Sequence, residues 1–230
     1  MAGRRLETGG AGLKRARHLL LLTGLILLVL SGCRGPKPVP SGFQSETVDP
    51  SGDPLQEDLT PEQGEAARLT EHLKGIVLEI VPLARYRVAA EVKGVERYSR
   101  GWQGRFAPCD LALAWGNLAG PGADRFIRYS QGNRWYHYRY SGDLPFPPGY
   151  IASHSANTHV VPATRNLRRA LAWTRTGDRL VLEGDLIRVT GRAERGTFYW
   201  NSSTSRLDTG DNSCELLYLR RLVRNHLVYR

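Results

Sequence analysis

His154 and His159 stand five positions apart in the stretch SHSANTHVVPA, with Ser153, Ser155, Asn157 and Pro162 around them. Two imidazoles, two serine hydroxyls and an amide in so short a segment can hold a metal, activate a serine, or fix a loop through its own backbone. A zinc site needs a third and a fourth ligand. His137, Cys109, Cys214 and Glu215 have suitable donor atoms, but no C-x-x-C or H-E-x-x-H spacing selects a set, so no metal is expected. A hydrolase needs a nucleophile, a base and an orienting acid. Ser155 (or Ser153), His159 and Asp208 supply those types, without the G-x-S-x-G elbow that lifts a serine onto a sharp turn. The favoured reading is structural: Ser155 and Asn157 bond backbone groups of an exposed crossover loop, His159 anchors it, and Pro162 starts the next helix. No catalytic residue and no cofactor is expected, and Ser155, His159 and Asp208 remain the enzymatic alternative.

Leu207–Gly210, LDTG, resembles the active-site motif of aspartic proteases. Here Arg206 precedes it and Asp211 follows, charging a site that those enzymes keep apolar, and there is one copy. An Asx-type turn into the following strand explains these residues better. Of the three cysteines, Cys109 and Cys214 form a disulfide or remain two separate buried thiols. A bridge would close a loop of about 100 residues and stabilise by up to ~4.7 kcal/mol in the chain-entropy model.

The third cysteine, Cys33, ends the strongest signal in the chain. Residues 1–18 carry Arg4, Arg5, Lys14, Arg15 and Arg17; then come twelve uncharged residues, LLLLTGLILLVL, and then SGC. A basic start, a short apolar run and small residues describe an export signal. Twelve residues span only about 18 Å as a helix, short of the ~20 residues that cross a bilayer core. Leu30–Cys33, LSGC, resembles the lipobox of bacterial lipoproteins, which implies removal of 1–32 and acylation of Cys33. The alternative is an uncleaved inner-membrane anchor helix from Leu19 to about Cys33. By the same resemblance, Arg34 in place of an aspartate implies the periplasmic face of the outer membrane in a two-membrane host.

The net charge is +10. The signal takes five basic and one acidic residue, which leaves 27 Lys and Arg against 21 Asp and Glu in the remainder, +6. That balance favours anionic partners without choosing among them. Residues 33–59, rich in proline and poor in large apolar groups, read as a flexible linker behind the lipid. A single β-rich domain is expected over 60–230.

The elements of that domain follow from pattern. Thr60, Pro61 and Gln63 predict a capped helix over 61–74. Ala84–Val92 reads as the first strand, with Pro82 as a break before it, and Asp110–Trp115 as a second. Phe126–Ser130 and Arg134–Tyr140 form a hairpin about a Gly132-Asn133 turn, with Tyr136, Tyr138 and Tyr140 on one face. That face is either half of a core or a stacking surface for bases or sugars, and core is favoured. Leu167, Ala170, Leu171 and Thr174 at i, i+3, i+4 and i+7 predict a helix with Arg165, Arg168 and Arg169 opposite and Gly177 as its stop. RLVLEGDLIRV, with Gly184 as a bulge, TFYW and CELLYLRRLV complete the strands. Strand, hairpin, helix, strand, strand is the order of an OB-like barrel with one crossover helix, in an α+β, β-rich fold; another α+β sheet packing is the alternative.

The blocks CDLALAWGNLA, YSQGNRWYHYR, SHSANTHVVPA, GDRLVLEGDL and STSRLDTGDNSCELLYL resemble, in this order, a family of bacterial lipid-anchored or membrane-attached envelope proteins. The resemblance runs from about Ala84 to Leu219 and carries no reaction with it. Its motif residues fall on Ser155, Asn157, His159, Pro162, Asp208, Thr209, Gly210, Cys214 and Glu215, with Cys109 and His154 outside the pattern. The expectation is a non-enzymatic envelope lipoprotein that binds a glycan, an anionic lipid or another envelope protein at the membrane surface. Nucleic acid is not an expected partner.

Overall fold

The computed structural model describes residues 35–39, 45–194, 196–205 and 213–230. The signal segment, Cys33, and the expected site residues Asp208, Thr209 and Gly210 lie outside these. Part of the expected linker is already on the body: Leu55–Asp58 forms strand β1, and Val48 is buried. Ser45 bridges to Leu227, and Glu46 contacts both Arg87 and Arg221. The flexible reading therefore does not hold for 45–58. A segment too polar for its own core is held by a strand edge and two guanidinium groups.

Thr60 caps helix α1, Pro61–Ala66, in the expected box: its hydroxyl accepts from Gln63 N, and Gln63 Oε1 accepts from Thr60 N. The helix does not continue to 74. Leu69–Leu73 instead forms strand β2, which turns back through Lys74 and Gly75, both at positive φ. In chain order there follow β3 (Ile76–Arg97), α2 (Gly101–Phe106), β4 (Cys109–Ala114), β5 (Ile127–Gly132), β6 (Trp135–Tyr140) and α3 (Gly149–Ser153). Then come β7 (Ser155–Pro162), α4 (Arg165–Ala172), β8 (Arg179–Ala193), β9 (Gly196–Asn201), β10 (Glu215–Arg224) and β11 (Leu227–Tyr229).

The largest correction concerns SHSANTHVVPA. It is not an exposed loop: β7 is buried along its whole length, between β4 on one side and β10 on the other. Pro162 ends that strand, and the helix after it is capped by Thr164, whose hydroxyl accepts from Leu167 N. The expected strand at 84–92 is the middle of β3. Pro82 does not interrupt it but sits where the β3–β8 register slips, the position at which a strand tolerates a residue with no N–H.

β3, β4, β7, β10 and β8 pair in that order, and β8 pairs back with β3. All five contacts are antiparallel except β7 with β10. One apolar cluster draws on every one of these strands, including Val88, Leu111, Val160, Leu182 and Leu217. Leu167, Ala170 and Leu171 of α4 join it, so the predicted helix buries the predicted face. Gly184 lies opposite the irregularity in β10 between Leu219 and Arg221; a Cβ there would stand 2.0 Å from Tyr218 O. The strand pair can approach this closely only over glycine.

The hairpin β5–β6 forms a separate two-stranded sheet. Its turn is Asn133-Arg134, one residue later than expected, with φ of 53° and 71°.

Candidate functional site

Alternation along β7 places Ser155, Asn157 and His159 on one face and Ala156, Thr158 and Val160 on the other. The second face meets the apolar cluster through Ala156 and Val160. The first meets Asp110 of β4, which stands directly opposite His159 and is 1% exposed. His159 Nδ1 lies 2.9 Å from Asp110 Oδ1, although its N–H is not aligned on that oxygen. Arg134 Nη1 reaches the same oxygen at 2.5 Å, and its Nη2 donates to Ala107 O. The guanidinium lies 3.7 Å above the Tyr98 ring, and Tyr98 Oη accepts from Arg134 N. Burial raises the Tyr98 pKa, which keeps the phenol neutral. Trp200 closes the layer, its ring 5.1 Å from that of His159.

An arginine at φ 71° occupies a turn position that suits glycine. Its side chain explains the choice, since it supplies the cation that Asp110 requires inside the protein. Further along, Asn157 Oδ1 accepts from Gln131 Nε2, and Asn157 Nδ2 donates to Arg134 O and contacts Cys214 Sγ at 3.7 Å. Gln131 packs against Gly94, where a Cβ would come within 2.5 Å of Oε1. Small residues on β3 and β4, Gly94 and Ala112, thus let the hairpin lie close to the sheet. Ser155 Oγ donates to Ile151 O, and Tyr136 Oη contacts Ser155 O and Oγ.

This geometry does not assemble the serine–histidine pair. Ser155 and His159 are four residues apart on an extended strand, about 13 Å, and Ser155 is tied to α3 while His159 faces Asp110. A second serine–histidine contact exists at Ser153 Oγ and His154 Nδ1, 2.9 Å apart. The same Nδ1 lies 3.1 Å from Tyr150 O, an acceptor only, so Nδ1 carries the proton and is not a base for Ser153. His154 stacks on Tyr150 at 3.6 Å, and Asp53 lies 3.7 Å from its Nε2.

The other candidates separate in space. Among the described residues no three His, Cys, Asp or Glu side chains are grouped to hold a metal ion. His137 lies exposed on β6. Cys109 and Cys214 flank β7 on opposite sides and are not joined. Two strand spacings, about 9.5 Å, exceed what a disulfide spans. Burial pushes the Cys109 thiol up to about 12, so it is unreactive at neutral pH. Pro162 is buried at the end of β7, opposite Leu219 of β10.

A cleft of about 180 Å³ opens at the margin of the hairpin. Trp115, Trp135, Tyr136 and Tyr138 line it with Ser155, Asn157 and Glu215. Burial raises the Tyr136 hydroxyl to about 12 against the opposing hydrogen bond from Ser155, so it remains a donor. Trp135 is 39% exposed. The expected motif residues Ser155, Asn157, Cys214 and Glu215 do converge here. The sequence reading missed Asp110 and Arg134; a lone acid in the apolar strand CDLALA was the available signal. Comparison with family models, with curated proteins and with solved structures found no match to the chain.

Proposed function

We propose that the protein is a non-enzymatic envelope lipoprotein, acylated at Cys33, whose body binds a ligand at the membrane surface. The LSGC sequence behind a basic start and a short apolar run supports the anchor. The resemblance to lipid-anchored envelope proteins points the same way.

The body reads as an OB-like barrel. Numbered by their order in the chain, the five strands follow one another in space as first, second, third, fifth, fourth and back to first, with third and fifth parallel and α4 between third and fourth in the chain. OB barrels use the face of the second and third strands to bind oligonucleotides and oligosaccharides. Here that face, β4 and β7, carries the hairpin. The binding reading is carried by the arrangement of β7 and the hairpin: the polar side chains of β7 hold the hairpin down, and the cleft beside it is lined by rings and hydroxyls without a serine poised over a base. Such a wall suits a ligand with a flat apolar face and a hydroxyl rim, as a sugar ring has.

Two measurements on the full chain from its own membrane test this. Mass spectrometry should find a diacylated or triacylated Cys33; an unmodified thiol removes the lipoprotein. Titration with a soluble amino-sugar oligosaccharide should change tryptophan emission, and Trp135→Ala should abolish the change. Hydrolysis of an ester substrate that is lost with Ser155→Ala would replace binding by catalysis.

A further inference from the structure

Helix α4 buries Leu167, Ala170 and Leu171 and turns Arg165, Arg168 and Arg169 outward. Two more arginines come from elsewhere in the chain. Arg97 of β3 reaches the helix end, its Nη2 donating to Thr174 O at 2.6 Å and to Ala172 O at 3.2 Å. Arg105 of α2 lies beside Arg168, which donates to its carbonyl. At the same helix end Trp173 is 55% exposed. Among the described residues none of these five arginines is ion-paired with a carboxylate. The acids nearby are engaged elsewhere: Glu71 accepts from Tyr218 Oη, and Asp178 accepts from Arg224 Nε.

The chain just behind the proposed acylation site runs along this helix. Asn166 Oδ1 accepts from Lys37 N and Asn166 Nδ2 donates to Lys37 O, both at 2.8 Å. Val39 N donates to Val228 O. Lys37 is thus pinned to α4 by both of its backbone polar groups, and its side chain is exposed. Cys33 precedes it by four residues in the sequence, so an acyl group there would be joined to this pinned residue by a short stretch of chain.

We propose that the α4 face, Arg165, Arg168, Arg169, Arg97 and Trp173, docks on an anionic lipid leaflet. The inference rests on the lipoprotein reading for its tether. Acylation supplies one attachment, and a basic patch with an interfacial tryptophan supplies a second that responds to headgroup charge. The short pinned tether then makes the body lie against the leaflet by the α4 face.

The test uses the full chain reconstituted into phosphatidylcholine vesicles with brominated acyl chains, with and without phosphatidylglycerol. Phosphatidylglycerol should increase quenching of tryptophan emission, and the increase should vanish in Trp173→Phe and fall roughly tenfold or more in Arg165→Gln/Arg169→Gln. High salt should reverse it. Quenching that is equal in the two vesicles, or unchanged by both variants, overturns the proposal. A protein partner that co-purifies with the wild type and is lost from the double variant, with quenching unaltered, also overturns it. The mass of the Cys33 peptide is read on the same sample. An unmodified thiol there removes the lipoprotein reading, while the vesicle comparison still decides whether the face binds lipid.

Discussion

Arg134 and the arginines of α4 put the same side chain to opposite uses. Arg134 is enclosed between Tyr98, Asp110 and Ala107 O, and its side chain is 17% exposed. It has a counter-charge, an acceptor and a ring face, and what it positions is another part of the same chain, the hairpin. Arg165 and Arg169 stand outside, without a carboxylate among the described residues. Some arginines elsewhere on the surface are paired, Arg188 with Glu65, Arg192 with Glu79 and Arg220 with Asp185, while exposed Arg100, Arg125 and Arg139 have no carboxylate partner among the described residues. Charge satisfied internally builds the fold, and charge left facing outward is available to something else. What sets the α4 face apart is grouping: Arg165, Arg168 and Arg169 stand together on one short helix beside the exposed Trp173.

The strongest way to break the comparison is to remove the internal counter-charge. Asp110→Ala leaves the enclosed guanidinium of Arg134 with the Ala107 carbonyl and the Tyr98 ring but no counter-charge, and losing one partner of a buried pair costs about 3–5 kcal/mol. The expected result is a large drop in the urea midpoint. Hydrogen exchange should also speed up in β5 and β6 first, since Arg134 and Asn157 are what tie the hairpin to β4 and β7. A midpoint that barely moves would mean that the apolar packing of the hairpin, through Ile127, Tyr129 and Tyr138, holds it unaided.

How much of this could be read in advance depends on whether a residue's neighbours are local. Helix α4 was legible because its apolar spacing and its solvent face both lie within ten residues. It does not start at Pro162 as expected but at Arg165, behind a Thr164 cap. The hairpin was legible for the same reason, with its turn displaced by one residue because Gly132 still pairs with Trp135. β7 was not legible. Polar residues at 155, 157 and 159 read as a loop, since strand patterns assume that a polar face meets water; here it meets a hairpin twenty to thirty residues away in sequence. Asp110 was hidden by the same assumption, as its partner sits in a turn. The cysteines could not be placed because spacing along the chain does not say that β7 separates them. Of the candidate site, Ser155, Asn157, Cys214 and Glu215 were each singled out in the sequence but not as the lining of one cleft, and the charged layer beneath the hairpin was not legible at all.

A smaller effect is expected where an arginine pair is only partly enclosed. Burial acts to raise the Glu46 pKa, but hydrogen bonds and charge from Arg221 and Arg87 outweigh it and hold the carboxyl below its usual 4.5. A carboxyl depressed in the folded state stabilises above the unfolded value, and that contribution disappears as pH falls through the folded value. Glu46→Gln should therefore cost about 1 kcal/mol at neutral pH, the upper range for a partly exposed pair. The difference from wild type should vanish in acid below the usual glutamate range. Urea titrations at both pH values read this directly, and a difference that persists in acid would assign the effect to packing of 45–50 instead.

The smallest expected effect is the most discriminating. If the α4 arginines face outward for a partner, removing two of them should leave the fold as it was. Arg165→Gln/Arg169→Gln removes no ion pair among the described residues and uncovers none of Leu167, Ala170 or Leu171, so the urea midpoint should not move. Neutralising two like charges on adjacent turns of one helix can even raise it slightly, because residues four apart repel. A clear loss of stability would show that these guanidinium groups, like Arg134, serve the interior after all. An unmoved midpoint together with lost quenching in phosphatidylglycerol vesicles would separate the two uses of arginine in a single variant.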